Sequence, residues 1–449
     1  MLGHRHSRRF FFASLWISAA LLFSWSGLSI ASDSELKVGA AVRSITPDPL
    51  LPVSGGLGPT APATEKRGEI TARAVVFQQG KQTVGIVVLD LLGFPSVLGN
   101  RVRKEVPRIA AANILVGATH CHSAPCCYAF PDGQGGHTGD LKYIDWVCQR
   151  AAEALNEAID KLETAKLKTA TDDANGKIAF NYYAPALYDR RMSVVQAIGD
   201  SGKPIVTLVN YAIHPEVLGA DAGIVSPDCI GPCVTKIESE LGGVAVFVNG
   251  AVGGMITADN RDFDKPGNPI SAKWPSIRTW DECLRIGHTM ADEAIRIIAD
   301  AQIQSSPMLT CAEKQVTFPV ESEQIWGVVQ YSPLKYPHDP KRRTVTTQVN
   351  LINLGDTQML TIPGEALPNI GFYLKRKMSG RHNLVLGLTN DAFGYILTKV
   401  DFASFPRYDY ITRTSLGELT GEILIRESLG LADRHPNPHS SKETAPVTR

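Results

Sequence analysis

Four short segments each place a side chain able to hold a cation just past an apolar, strand-like run: Gly117-Ala-Thr-His-Cys-His122, Tyr211-Ala-Ile-His-Pro215, Pro363-Gly-Glu365 and Phe393-Gly-Tyr395. Imidazole and carboxylate are the nitrogen and oxygen donors that zinc takes in hydrolase sites. In an extended backbone the two histidines of Thr119-His-Cys-His-Ser123 fall on one side with Cys121 opposite, so both imidazoles are predicted to face one centre. An isolated H-x-H also arises where one histidine is a ligand or loop anchor and the other packs beside it. His214 closes the run 205–213, and Pro215 stops strand pairing there and fixes the backbone. A hydrogen-bonded histidine at a strand end is the plainer alternative. Glu365 precedes the apolar-periodic stretch 366–374, where an acid also serves a helix dipole. Tyr395 occupies a place where a buried aromatic is common. As a ligand it must lose a proton that titrates near pH ~10, which needs a neighbouring cation.

Such groups need strands to aim them. Residues 36–42 read as a strand and 45–56 as a turn-rich loop. Strands over 74–77 and 84–90, a helix over 102–112 and a strand over 113–117 form a βαβ unit with buried strands. The stretch 143–162 is a long amphipathic helix. A second series runs from a strand over 205–210, through a helix opened by Ser226-Pro-Asp228 with Asp228 as N-cap, to a strand over 244–249. A helix over 277–301 and strands over 351–354, 359–362 and 384–388 complete the pattern, without internal repeats. The class implied is α/β, with mixed sheets flanked by helices and the metal site at strand C-terminal ends.

The 449 residues, 44% of them hydrophobic, suffice for a large core. Arg5, Arg8 and Arg9 precede an apolar stretch over 10–30, with Ser29 and Ala31 at small cleavage positions, so residues 1–31 read as a secretory signal peptide. A retained membrane anchor is the alternative. The expected product is secreted or periplasmic, with one domain over 36–432 and a disordered tail over 433–449. The formal net charge of zero speaks against a nucleic-acid partner. All eight cysteines follow the leader; their spacing fits no zinc ribbon, leaving partial disulfides or buried thiols.

With their neighbours, the four motifs resemble the catalytic domain of the neutral/alkaline non-lysosomal ceramidase family and its shorter bacterial relatives, from about residue 37 to 430. The resemblance rests on Val38-Gly-Ala-Ala, Asp90-Leu-Leu-Gly93, Gly117-Ala-Thr-His-Cys-His-Ser-Ala-Pro125, Asn210-Tyr-Ala-Ile-His-Pro215, Ser226-Pro-Asp228, Asn249-Gly-Ala-Val-Gly253, Pro363-Gly-Glu365 and Asn390-Asp-Ala-Phe-Gly-Tyr395. It implies a single zinc ion held by His120, His214, Glu365 and Tyr395. His122 would stand beside the metal to handle a proton or position substrate. A later tyrosine touching substrate maps to Tyr408 or Tyr410, with Tyr408 taken as the catalytic candidate.

Two positions depart from the family pattern. Ile256 stands where lipid-cleaving members have a serine, and an isoleucine supplies no hydroxyl unless Thr257 takes its place. Tyr182 stands where the family tends to have an arginine. The resemblance therefore implies a zinc-dependent hydrolase acting on a small-molecule or lipid amide, N-acyl sphingosine included, with transient contact at a membrane surface. A zinc hydrolase of another ester or amide, and a non-catalytic binding protein that retains the metal, are the alternatives.

Overall fold

The larger of two main sheets has eight strands, in the order Val244–Asn249, Pro204–Tyr211, Arg191–Gly199, Glu163–Asp173, Lys37–Ser44, Thr71–Gln79, Gln82–Leu89, Ile114–Ala118. Its middle is antiparallel, and each end closes with one parallel pair. A parallel pair needs a crossover. Helices Ser96–Lys104 and Ile230–Leu241 provide them, so both predicted βαβ units are present. The structure, a computed structural model, describes residues 35–268 and 273–439. The predicted signal peptide and the last ten residues lie outside them.

A second sheet is formed by Leu309–Pro319, Thr344–Leu354, Thr357–Thr361 and His382–Leu386, with the last two parallel. The sheets pack face to face through Val38, Phe77, Leu115, Ile352, Met359 and Leu384, all essentially inaccessible to solvent. Helices Leu141–Asp160, Ile230–Leu241 and Trp280–Ala299 cover the outer face of the first sheet. Helices Glu323–Tyr331, Pro368–Lys377 and Thr420–Arg434 cover the second. Strands buried on both faces read as continuous apolar runs, which is why they are visible in the sequence. The described residues make one compact unit, and no helix among them is long and apolar enough to cross a membrane.

Three expectations need correction. The first helix spans Ser96–Lys104, not 102–112, because Pro107 lacks an amide hydrogen and disfavours helical geometry at Val106. Asp228 does not cap the helix through its first turn. It adopts φ 50° and turns its carboxylate to the amides of Cys229, Leu218 and Val217, tying down the loop beyond His214. Part of the predicted tail is packed: the last helix runs to Arg434, and buried Asn437 donates to the carbonyls of Gly355 and Thr357.

Candidate metal centre and substrate pocket

His120 lies two residues beyond Ile114–Ala118, His214 three beyond Pro204–Tyr211 and Glu365 four beyond Thr357–Thr361, all past strand C-terminal ends. Asn249 joins the first two exits. Fully buried, it donates to the carbonyls of Thr119 and Ile213 and accepts from the amides of Ile213 and Gly250. One amide group thus sets the spacing of two histidine-bearing loops. Asn210 links the two sheets, donating to carbonyls of Val248 and Asn249 in one and Val385 in the other.

The H-x-H pair does not follow a pleat. His120 adopts φ 68°, a left-handed conformation that costs a residue with a Cβ of order 1–3 kcal/mol, so a turn brings the two imidazoles together. Their ring centroids are 4.7 Å apart, and His120 and His214 are 4.5 Å apart. Glu365, expected at a helix start, instead forms the two-residue strand Glu365–Ala366, paired in parallel with Tyr395–Ile396. The helix begins only at Pro368. Gly253 permits that strand, since a Cβ there would stand 2.1 Å from the Glu365 carbonyl.

The ring nitrogens divide into two sets. His120 Nδ1 bonds the Leu92 carbonyl at 2.6 Å and His214 Nδ1 bonds the Ile256 carbonyl at 2.8 Å. A carbonyl only accepts, so each Nδ1 carries a proton, and in the neutral ring each Nε2 keeps its lone pair. The Nε2 atoms of His120, His122 and His214 and one Glu365 carboxylate oxygen are all buried without a hydrogen-bond partner. That Glu365 oxygen lies 3.4 Å from His120 Nε2 and 3.2 Å from His214 Nε2. The three histidines' ligating atoms lie within 4.8 Å of one another. Orphaned buried polar atoms are costly singly and rare in groups. Donors sharing a tetrahedral zinc at about 2.0–2.1 Å stand about 3.3 Å apart, so the spacing of Glu365 from His120 and from His214 fits such an ion, with His122 beside it.

The electrostatics agree with that fit. Burial would raise the Glu365 pKa, but the adjoining His120 and His214 hold it well below the usual carboxylate range, so it is ionised. Burial, reinforced by His120 and His214, pushes His122 well below its ordinary value, leaving it neutral. For His214 burial also opposes charge, but contact with the Glu365 carboxylate lifts its pKa.

Tyr395 lines the same pocket as His120, His122 and Glu365, and its short strand pairs with that of Glu365. Its hydroxyl lies 3.2 Å from the Met255 thioether, and burial together with the Glu365 carboxylate pushes its phenol well above the ordinary value. His122 brings a third imidazole to the cluster. Tyr410, not Tyr408, reaches the site: its ring lies 5.9 Å from that of Tyr395 and lines the same pocket. Tyr408 packs on Tyr183 and Phe405.

Ile256 is buried in the apolar core, and its carbonyl accepts from both the backbone amide and Nδ1 of His214. Thr257, next to it, pairs with Phe180 in a two-stranded sheet and bridges the backbone of His214. Tyr182 is partly exposed, under the guanidinium of Arg407. Two contributors escape a reading by motif. Glu216, directly after the His-Pro pair, brings a half-buried carboxylate to 3.7 Å from His122 Nδ1. Met255, at φ 62°, carries the thioether that takes the Tyr395 hydroxyl. All eight cysteines are free thiols, seven of them buried.

The donor cluster forms one side of a pocket open to solvent. Its other walls are mostly apolar, with Ile325, Val328, Val329, Val345, Phe393 and Leu416. Concave, largely apolar sites with a few convergent polar groups take small organic ligands.

The chain aligns in three dimensions with the crystal structure of neutral ceramidase from Pseudomonas aeruginosa, with TM-score 0.72 over 90% of this chain and 75% of that one at 16% identity. A structure of ceramidase complexed with C2 gives TM-score 0.71 over 91% and 77%, also at 16% identity. The fold is the neutral ceramidase fold. No family model and no curated sequence matches the chain. In this ceramidase fold the mixed sheets and flanking helices inferred from the sequence are present, and the three-histidine cluster lies where strand ends of both sheets meet.

Proposed function

We propose that this protein is a zinc-dependent amidohydrolase of ceramidase type, acting on an N-acyl amide with an extended apolar arm. One observation carries the reading: three imidazole Nε2 atoms and a carboxylate oxygen, all buried and unpartnered, converge at the wall of an apolar pocket. His120, His214 and Glu365 would hold the ion. When bound, zinc supplies a Lewis acid that polarises a carbonyl and makes water nucleophilic at neutral pH. Neutral His122 offers Nε2 to accept a proton from the attacking water and return it to the leaving amine. Glu216, near Nδ1, favours the protonated ring that this transfer creates. The walls around Val329 and Leu416 receive the apolar arm and exclude water, and Tyr410 borders the open side. If the predicted leader directs export, the reaction takes place outside the cytoplasm.

The test measures zinc per chain and hydrolysis of an N-acyl sphingosine for the wild type, His120→Ala and Tyr395→Phe. Near-stoichiometric zinc and turnover are expected in the wild type and zinc near that level in Tyr395→Phe, with both zinc and turnover lost in His120→Ala. Undiminished zinc in His120→Ala would overturn the site. A second reading, a zinc hydrolase of another ester or amide, is favoured by the Ile256 side chain lying in the core and by the Met255 thioether meeting Tyr395. Turnover of an ester or amino-sugar amide, with none of N-acyl sphingosine, would select it.

A further inference from the structure

Several hydroxyl groups line the pocket, and most of them are spent within the fold. Tyr336 donates to the Tyr128 carbonyl, Thr414 to the Tyr410 carbonyl, Thr346 pairs with Thr317, Ser96 faces Asp391 and Tyr395 meets Met255. Tyr410 is exposed at the open side. Tyr128 differs from all of these. Its hydroxyl lies against Gly93 and Ala392, inside the pocket, and has no hydrogen-bond partner among the described residues.

Three contacts fix that phenol. The ring stacks on Phe130, with centroids 4.6 Å apart and planes at 14°. The main-chain carbonyl of Tyr128 accepts from the hydroxyls of Ser332 and Tyr336. The hydroxyl itself fills the space that a side chain at Gly93 would take, since a Cβ there would stand 1.9 Å from it. This gives a reason for the glycine that closes Asp90-Leu-Leu-Gly93. The preceding carbonyl, of Leu92, holds His120 Nδ1, so one segment aims an imidazole of the cluster and seats the phenol next to it. A phenol is protonated at neutral pH, and burial, with the Glu365 carboxylate nearby, pushes that of Tyr128 further up, so it is a donor.

A ligand that fills the pocket excludes water from this hydroxyl, and a buried donor left without an acceptor is costly. The ligand must then bring an acceptor of its own. An N-acyl amide always carries one on the reacting carbon, its carbonyl oxygen. We propose that Tyr128 is a catalytic residue whose phenol donates a hydrogen bond to the carbonyl oxygen of the amide being cleaved. As water adds to the carbonyl carbon, the π pair of the C=O bond moves onto that oxygen, and the hydrogen bond strengthens as negative charge grows there. The pair returns when the C–N bond breaks and the amine leaves with the proton that His122 carries. The phenol keeps its own proton throughout. The inference rests on the amide-hydrolysis reading above.

Tyr128→Phe in the zinc-loaded full chain tests it, because the ring stays on Phe130 and the main-chain contacts are untouched. The substrate is a fatty acyl anilide, whose carbonyl oxygen is its only oxygen. In the variant kcat should fall at least about 30-fold with KM within about threefold, and zinc content and melting temperature should be unchanged. Calorimetry with a fatty acyl hydroxamate, which brings an acyl oxygen without being cleaved, should show binding weakened at least about tenfold. Equal kcat in the two proteins, or a loss confined to KM, would overturn the proposal. So would a fall in zinc content or melting temperature alongside the lost activity, the sign of a hydroxyl that serves the structure. If the amide reading alone is wrong, the wild type cleaves neither the anilide nor N-acyl sphingosine, yet binds the hydroxamate more tightly than the variant, which keeps Tyr128 as the donor to an acyl oxygen. If the Tyr128 assignment alone is wrong, both proteins hydrolyse the anilide alike. Hydroxamate binding that is equal in the two, or absent from both, would overturn the proposal whatever the substrate.

Discussion

Replacing His214 by Ala separates a metal centre from a mere polar cluster, because its consequences with and without zinc can be worked out independently. Without zinc the change is moderate. The Ile256 carbonyl accepts from the His214 amide at 2.7 Å as well as from Nδ1, so truncation leaves it bonded, and Glu365 retains His120 as a neighbour. What remains is the space vacated by a fully buried ring and a weakened partnership for one carboxylate, together about 1–3 kcal/mol. With zinc the change is larger. At free zinc 1,000-fold above Kd, binding adds about 4.1 kcal/mol to wild-type stability. Loss of an outer partner alone weakens metal binding 10–100-fold, so loss of a donor should exceed 100-fold. The same free zinc is then at most about tenfold above the variant's Kd and adds no more than about 1.4 kcal/mol. Thermal unfolding in EDTA and in zinc, with zinc per chain determined in parallel, should show a large zinc-dependent rise for the wild type and for His137→Ala, an exposed histidine outside the cluster. For His214→Ala the rise should largely vanish. An equal zinc-dependent rise in wild type and His214→Ala would refute the reasoning.

Gly253→Ala should displace Glu365 by its backbone, since the new methyl would stand 2.1 Å from the Glu365 carbonyl; zinc content should fall with no donor side chain altered, and full zinc content would contradict the assigned packing. In EDTA, the stability of His122→Gln relative to wild type should increase as pH falls from 7 to 5. The folded pKa of His122 lies below its unfolded value near 6.5, so between the two the unfolded chain binds the extra proton and wild-type stability declines with falling pH, by up to about 1.4 kcal/mol per unit for one proton. Glu365, with its depressed pKa, adds to the acid loss only below about pH 4.3, and His214, with its raised pKa, contributes stability that is lost instead as pH rises. Chemical denaturation across that range checks the difference, and a pH-independent gap would count against a buried neutral His122.

The strands were legible because burial on two faces forces near-continuous apolar runs, as in Val84-Gly-Ile-Val-Val-Leu and Val244-Ala-Val-Phe-Val. So were the loop positions of His120, His214 and Glu365, each a few residues past such a run. The local geometry was not. Extended-strand periodicity says nothing of the left-handed turn at His120, and an acid before an apolar stretch reads as a helix start until the Glu365–Ala366 pairing with Tyr395–Ile396 is seen. The roles of Tyr395, Tyr408 and Tyr410 depend on contacts with distant residues: Met255 meets the first, and Tyr183 meets the second. No spacing rule encodes those meetings. Glu216 could have been found, since an acid directly after a candidate ligand histidine is a visible signal, but its approach to His122 depends on two loops from opposite ends of the first sheet.

His120 and His214 are oriented by main-chain carbonyls, of Leu92 and Ile256, and not by side chains. A carboxylate in that position could be removed by a single codon change, taking the ring's tautomer and aim with it. A carbonyl is common to every residue type, so Leu92 and Ile256 can vary in side chain while the instruction to each imidazole stays the same. The pocket wall and the histidine cluster are therefore separable under mutation: side chains lining the pocket can drift without altering how these two imidazoles are held. Position 256 can change its side chain and leave the His214 anchor in place.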